Sequence, residues 1–285
     1  MDMKWIIGEL LRENVLGSEI IAWDHLRGGT SSAVAKIQCE DGKTYVVKGN
    51  EANLIYWEAT FLRFYKDSAL LPRLVYDAKD YLVYTFMKGD TLGARPEKAK
   101  MLQDLTVGLI NEYKPIMRGW GWHEKFTWQK FLQQEIMGAE AIIGKHLPNE
   151  DAVLIRKVVK DQPRERLYFL HGDCGVHNFL FQDGQLCGVI DPLHLFGPPM
   201  YDLIFAFCSS PDSLDEKTLL DALLVFNGEI PGELYGSVLI GLYIRIARCL
   251  LHHPEDLAAY LEAWTYWKAL YYRQKNSTLR DTSVE

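Results

Sequence analysis

The stretch His171-Gly172-Asp173-Cys174-Gly175-Val176-His177-Asn178 decides how this chain is read, together with Asp191 in Val189-Ile190-Asp191-Pro192. A carboxylate, an amide five residues on and a second carboxylate beyond a hairpin form a set used in phosphoryl transfer. In such a set the first carboxylate accepts a hydroxyl proton, and the amide and second carboxylate hold Mg²⁺ against phosphates. Each piece alone has a plainer reading: His-Gly-Asp can be a tight turn, and Asp-Pro a strand stop. The two pieces together, at this spacing and with a strand pair between them, favour the chemical reading.

Composition bounds the answer. The chain has 285 residues, 48% apolar and 24% charged, as expected of an ordinary globular protein of one large domain or two modest lobes. Without an uninterrupted run of 18 apolar residues, no membrane span is expected. The start, Met1-Asp2-Met3-Lys4-Trp5, lacks the pattern of a signal peptide. Five cysteines with no CxxC pair indicate neither a disulfide framework nor a zinc site, so a cytoplasmic setting is expected. Net charge is -7, which argues against nucleic acid as a partner because no basic excess would neutralise its phosphates. The acidic balance beyond residue 90 would suit a cationic substrate, but from charge alone a solvated surface explains it better.

The first ninety residues read mainly as strands: Glu19 to Leu26, Ala33 to Cys39, Lys43 to Lys48 after an Asp41-Gly42 turn, Arg73 to Tyr76 and Tyr81 to Phe86. Between the third and fourth, Leu54, Trp57, Phe61, Leu62 and Tyr65 recur at helical spacing. Lys88-Gly89-Asp90 breaks the pattern, and the remainder reads helical. Thr127 is an expected N-cap, and Asp183-Gly184 a hairpin turn. Trp120, Trp122 and Trp128 are expected to be packing residues. Gln274 to Glu285 is expected to fray. The fold class is therefore α+β and bilobal. Residues 1–88 would form a small five-stranded nucleotide-binding lobe, and 89–285 a mainly helical catalytic and substrate-binding lobe.

Strand one runs into Arg27-Gly28-Gly29-Thr30-Ser31-Ser32, whose small residues let backbone N–H groups approach phosphate oxygens. It has neither P-loop nor dinucleotide-fold spacing, so alone it is a turn. Lys48 adds weight. Closing Tyr45-Val46-Val47-Lys48, it can meet the α- and β-phosphates if a carboxylate holds it, and Glu58 in the following helix suits that role. Glu51 is the second candidate, at the helix start. The plainer reading of Lys48 is an exposed edge-strand lysine.

In this order, Gly28-Gly29, Lys48, Glu58, the His171-Gly172-Asp173…Asn178 run and Asp191 resemble the protein-kinase-like fold. The form is similar to its aminoglycoside phosphotransferase and choline kinase branch, over roughly residues 19 to 210. The resemblance implies Asp173 as catalytic base, Asn178 and Asp191 as metal ligands, and Lys48 with Glu58 as the phosphate clamp. Gly28, Gly29, Ser31 and Ser32 would cover the phosphates. Leu82 to Gly89 resembles the last strand and hinge, where the backbone of Thr85 and Met87 would bond the purine. Asp202, in Tyr201-Asp202-Leu203, would be structural.

Two departures matter: Pro192 follows Asp191 where the family often carries an aromatic residue, and no Ala-Pro-Glu segment marks a protein substrate. His177 is expected to be a hydrogen-bonded loop histidine. Implied ligands are Mg²⁺, ATP or GTP, and a small hydroxylated, cationic acceptor taken from antibiotics or related natural products. A metabolic acceptor such as choline, an amino sugar or homoserine is the alternative, and a non-catalytic nucleotide-binding module a third reading. Tyr84 behind the purine would favour some GTP use. The acidic residues Asp212, Asp215, Glu255, Asp256 and Glu262 are candidate acceptor contacts, with plain surface as the alternative. A monomer or weak dimer is expected.

Overall fold

Alternation in three neighbouring strands explains the first half of the chain. The structure, a computed structural model, describes residues 2–26, 32–116, 127–162 and 166–281. Strands β1 (Ile20–His25), β2 (Ala33–Cys39), β3 (Thr44–Gly49), β4 (Leu74–Asp77) and β5 (Tyr81–Thr85) form one antiparallel sheet in the order β1-β2-β3-β5-β4. Successive side chains point to opposite faces. Ala35, Ile37, Tyr45, Val47, Tyr81 and Val83 therefore share one face, and Val46, Lys48, Leu82 and Tyr84 the other.

The first face is covered by an element absent from the sequence reading, helix α1 (Met3–Arg12). Its Met3, Ile6, Ile7 and Leu10 join that face in one apolar core. Their i, i+3, i+4, i+7 spacing was the available signal. Asp2 caps the helix, its side chain accepting from the Lys4 N–H at 2.9 Å. Helix α2 (Ala52–Phe64) buries Ile55, Glu58, Ala59, Phe61 and Leu62.

The molecule divides into two compact units. The first comprises Met1–Pro96, His171–Asp173 and His177–Leu195, and the second Glu97–Leu170, Cys174–Val176 and Phe196–Glu285. These units interleave along the chain, whereas the division expected after residue 88 is a single cut. Within the first unit the hairpin Phe179–Gln182/Gln185–Val189 joins the sheet-bearing residues through Asp90, which exchanges two backbone hydrogen bonds of 3.0 Å with Phe181.

The second unit is mainly helical: α3 (Lys98–Gly108), α4 (Trp128–Ile143), α5 (Asn149–Lys160), α6 (Pro199–Cys208), α7 (Glu216–Leu223), α8 (Leu234–His252) and α9 (Leu257–Asp281). Thr127 caps α4 as expected, accepting from Lys130 N. Trp128 stacks on Phe131 and meets Tyr201 edge-on, which is a packing role; Trp120 and Trp122 lie outside the described residues. Among the described residues one helix, α8, is long and apolar enough to cross a membrane, with mean hydropathy 1.5. It is interrupted by Arg245 and Arg248 and packs against α4, α5, α6 and α9. The expected fraying from Gln274 onward is corrected as far as Asp281, where α9 ends; residues 282–285 lie outside the described residues. Lys275 pairs with Glu233 at 2.6 Å and Gln274 donates to the Gly232 carbonyl at 3.1 Å, which anchors the last turns.

Candidate active site

Lys48 reaches its position by strand parity. Val47 enters the core under α1, so its neighbour must project from the opposite sheet face. There Lys48 is only 5% exposed, and Glu58, in the buried stripe of α2, only 4%. Lys48 Nζ lies 2.7 Å from Glu58 Oε2 and 2.9 Å from Asp191 Oδ1. Burial alone would lower the lysine pKa, but the two carboxylates overcome it and hold the ammonium protonated. Burial pushes the Glu58 carboxyl up to about 7 against the pull of Lys48. Glu51, the other candidate partner, is an exposed residue at the start of α2.

The hairpin brings the two expected metal ligands together. Phe179 pairs with Val189, and Ile190 N–H donates to the Asn178 carbonyl at 2.9 Å, so Asn178 and Asp191 flank the same end. The Asn178 amide nitrogen is taken up by Asp173, at 2.9 Å from its backbone carbonyl and 3.0 Å from Oδ2. The amide oxygen is thus the end with cation-ligand chemistry. Among the described residues no group of three or more His, Cys, Asp or Glu side chains is arranged around a cation. Mg²⁺ is commonly held by one or two carboxylates plus phosphate oxygens and water, and the side-chain oxygens of Asn178 and Asp191 have that chemistry. Asn178, Asp191 and a nucleotide would form such a set.

His171 is fully buried and sets the loop. Its Nε2 donates to the Ile190 carbonyl at 2.9 Å, so Nδ1 is the bare nitrogen, and it accepts from Asp173 N–H at 3.3 Å. Burial lowers its pKa to about 4, and the neutral tautomer is the one that both bonds require. Gly172 adopts a φ of +81°, and a Cβ there would lie 2.8 Å from Leu195 Cβ. Asp173 Oδ2 also receives His177 Nε2 at 3.1 Å, as expected of a hydrogen-bonded loop histidine.

The remaining expected residues divide. Gly28, Gly29 and Ser31 lie outside the described residues. Ser32 Oγ accepts from Asn50 Nδ2 at 2.9 Å. The Thr85 N–H donates to the Arg73 carbonyl at 2.9 Å, so a purine would meet the carbonyl of Thr85 rather than its N–H. Met87 lies beyond the end of β5, its side chain close to Gly188, where a Cβ would sit 2.9 Å from Met87 Cε. Tyr84 is buried on the Lys48 face of the sheet; burial, then the Glu58 and Asp191 charges, raise its pKa well above the usual value.

In the second unit Asp202 is fully buried and accepts from the Tyr113 hydroxyl at 2.7 Å, a structural role. Three candidate acceptor contacts have partners: Asp215 caps α7, accepting from Thr218 N at 2.9 Å, Glu255 lies 3.5 Å from His253, and Asp212 Oδ1 lies 4.0 Å from Lys98 Nζ. The sequence reading missed one contact at the site, a stack between Trp57 and His194 with ring centroids 4.9 Å apart. Helical periodicity marked Trp57 only as a packing residue. Nothing local marks His194, because the contact joins distant parts of the chain.

No curated protein matches the chain. Solved structures with a similar fold include the streptomycin–ATP ternary complex of APH(2")-IIa, with 18% identity and a TM-score of 0.60 over 90% of this chain and 92% of that one. Another is the GDP complex of a mutant aminoglycoside 2'-phosphotransferase-IIIa, with 16% identity and a TM-score of 0.60 over 94% and 98%. A third is macrolide 2'-phosphotransferase MphH from Brachybacterium faecium, with 14% identity and a TM-score of 0.59 over 92% and 97%. At these identities the likeness establishes the fold. The family model described as "Phosphotransferase enzyme family" matches residues 25–234, a span holding Lys48, Glu58, Asp173, Asn178 and Asp191, and the chain belongs to that family.

Proposed function

We propose that this phosphotransferase moves the γ-phosphoryl group of ATP or GTP to a hydroxyl of an antibiotic or related natural product. The observation that carries the reading is the buried pair Lys48–Glu58, whose Nζ also reaches Oδ1 of the partly exposed Asp191. Such a lysine is held in place and kept charged by its carboxylates, as a phosphate clamp requires. Asp173, held by Asn178 and His177, would orient the acceptor hydroxyl and take its proton as the new P–O bond forms. The γ-phosphorus–oxygen bond to the leaving nucleotide breaks in the same in-line displacement, so no covalent enzyme intermediate is needed. Mg²⁺, when bound by Asn178 and Asp191, would neutralise phosphate charge.

Thr85 and Met87 would meet the purine edge, and Gly28, Gly29, Ser31 and Ser32 the phosphates. The same proposal gives residues 1–88 the nucleotide-binding role and residues 89–285 the catalytic and substrate-binding role. It sets the enzyme in the cytoplasm, which the free state of all five cysteines supports. A non-catalytic module has no need to keep Lys48, Asp173, Asn178 and Asp191 together. Aminoglycoside and macrolide phosphotransferases share this fold, which motivates the antibiotic acceptor, and a structure of the same fold named "putative fructosamine-3-kinase" motivates the metabolic alternative.

The test is ADP and GDP release by purified protein across a panel of hydroxylated antibiotics, choline, amino sugars and homoserine. Acceptor-dependent release that disappears in Asp173→Asn is expected. Turnover only with the metabolic acceptors would shift the assignment to the metabolic alternative, and no turnover with any acceptor would overturn it.

A further inference from the structure

We infer that the stacked pair Trp57–His194 is a positioning clamp for Asp191, and that both are positioning residues for the divalent cation; the inference rests on the phosphotransfer reading above. The rings lie 4.9 Å apart with an interplanar angle of 15°, which is a true stack. Trp57 precedes Glu58 on α2, and His194 is three residues beyond Asp191. Helix α2 therefore grips the Asp191 segment at two adjacent points, through Glu58–Lys48–Asp191 and through the stack.

The segment needs holding. Asp191 has a φ of +62° and His194 a φ of +53°, two left-handed non-glycine residues within four positions. Such conformations are sterically costly for a side chain bearing a Cβ and persist only where the surroundings enforce them. Three contacts enforce them: Lys48 on Asp191 Oδ1, the Leu193 N–H on the His171 carbonyl at 2.8 Å, and the stack. Lys48 is also the residue assigned to the nucleotide phosphates. Once it turns to them, its hold on Asp191 weakens, and the other two contacts must keep the carboxylate in place. Pro192 directly follows Asp191, and the aromatic contact to α2 comes from His194.

The experiment measures ADP binding calorimetrically, without divalent cation and across a Mg²⁺ titration. It compares wild type with Trp57→Ala, Trp57→Phe and His194→Asn. Asn tolerates a positive φ, so His194→Asn removes the ring without adding backbone strain. It serves as the second route if Trp57→Ala fails to fold, as judged by thermal melting.

All folded variants should bind ADP without metal within about two-fold of wild type. Trp57→Ala and His194→Asn should need about 10-fold more Mg²⁺ for half-maximal strengthening, the usual scale for residues behind metal ligands. Trp57→Phe, which keeps a ring, should stay near wild type. Wild-type Mg²⁺ dependence in both ring-deleting variants would overturn the clamp alone. So would a Trp57→Phe protein as impaired as Trp57→Ala. ADP binding by wild type that ignores Mg²⁺ would overturn the metal assignment and the clamp with it.

Discussion

His177 Nε2 and Asn178 Nδ2 converge on one oxygen of Asp173, at 3.1 and 3.0 Å from Oδ2. Two consecutive residues thus fix the plane of the carboxylate assigned as base. An ionised carboxylate only accepts, so the histidine must donate from Nε2. His177→Leu should lower kcat about 10-fold with the acceptor KM nearly unchanged, because the base loses alignment rather than identity. His177→Gln, which can place an N–H near the same point, should recover most of the rate. Equal rates in the Leu and Gln variants would remove His177 from the machinery.

Asp173→Asn should reduce turnover by roughly 10²–10⁴-fold, the usual range for a general base. Nucleotide affinity should stay within a few-fold, since other residues hold the phosphates. Steady-state kinetics beside ADP-binding measurements separate the two effects. A variant turning over near the wild-type rate would mean the base lies elsewhere.

Asn178→Ala and Asp191→Ala should both raise the Mg²⁺ requirement, Asp191→Ala more. The carboxylate contributes charge as well as an oxygen, and it is the one joined to Lys48. Mg²⁺ titrations of initial rate test this; curves superimposing on wild type would take both residues off the site.

Lys48→Met should lower stability by about 3 kcal/mol, because it leaves Glu58 buried without its cation. The double variant Lys48→Met/Glu58→Gln should regain much of that stability and none of the activity. Urea denaturation of wild type, single and double variants reads the first effect. A fully stable single variant would show that the pair contributes nothing to the fold.

The contribution of His171 and His194 to stability should be lost as pH drops from about 6.5 to about 4, while Glu58, whose carboxyl is pushed up to about 7 by burial, acts in the opposite sense. Burial holds the pKa of both His171 and His194 at about 4 in the folded chain, below the ordinary value of about 6.5. The unfolded chain therefore binds protons first, and their contribution, complete above about 6.5, is lost as pH falls through the folded values. His194→Phe keeps a ring but cannot titrate. Its melting temperature should decline less steeply than that of wild type over this range, and parallel declines would refute the contribution of His194.

Tyr84 is buried on the Lys48 face of β5, one residue before Thr85. A bulky side chain there narrows the space behind a purine, and guanine must shift along the hinge to find matching donors and acceptors. GTP should be used measurably, and Tyr84→Ala should move the preference toward ATP. The ratio of kcat/KM for the two nucleotides decides this; an unchanged ratio with no GTP use would make Tyr84 a core aromatic only.

Local order in the sequence was sufficient for much of this protein. Strand-like runs and the Asp41-Gly42 turn located the five strands to within one or two residues, and Thr127 marked a helix start, because strand patterning, turn chemistry and capping are short-range effects. The spacing from Asp173 to Asn178 and Asp191 is set by a loop and a hairpin, so it too was legible. Glu58 could be singled out as a carboxylate in an otherwise apolar helical stripe. Tertiary structure decided what joins distant segments. It chose Glu58 over Glu51 for Lys48 and covered the far sheet face with α1. It also anchored the last turns of α9 on Gly232 and Glu233. The stack of Trp57 on His194 and the tautomer of His171 belong to the same class. Each depends on which surfaces meet after the chain has closed long loops, and neither residue type nor local spacing encodes that meeting.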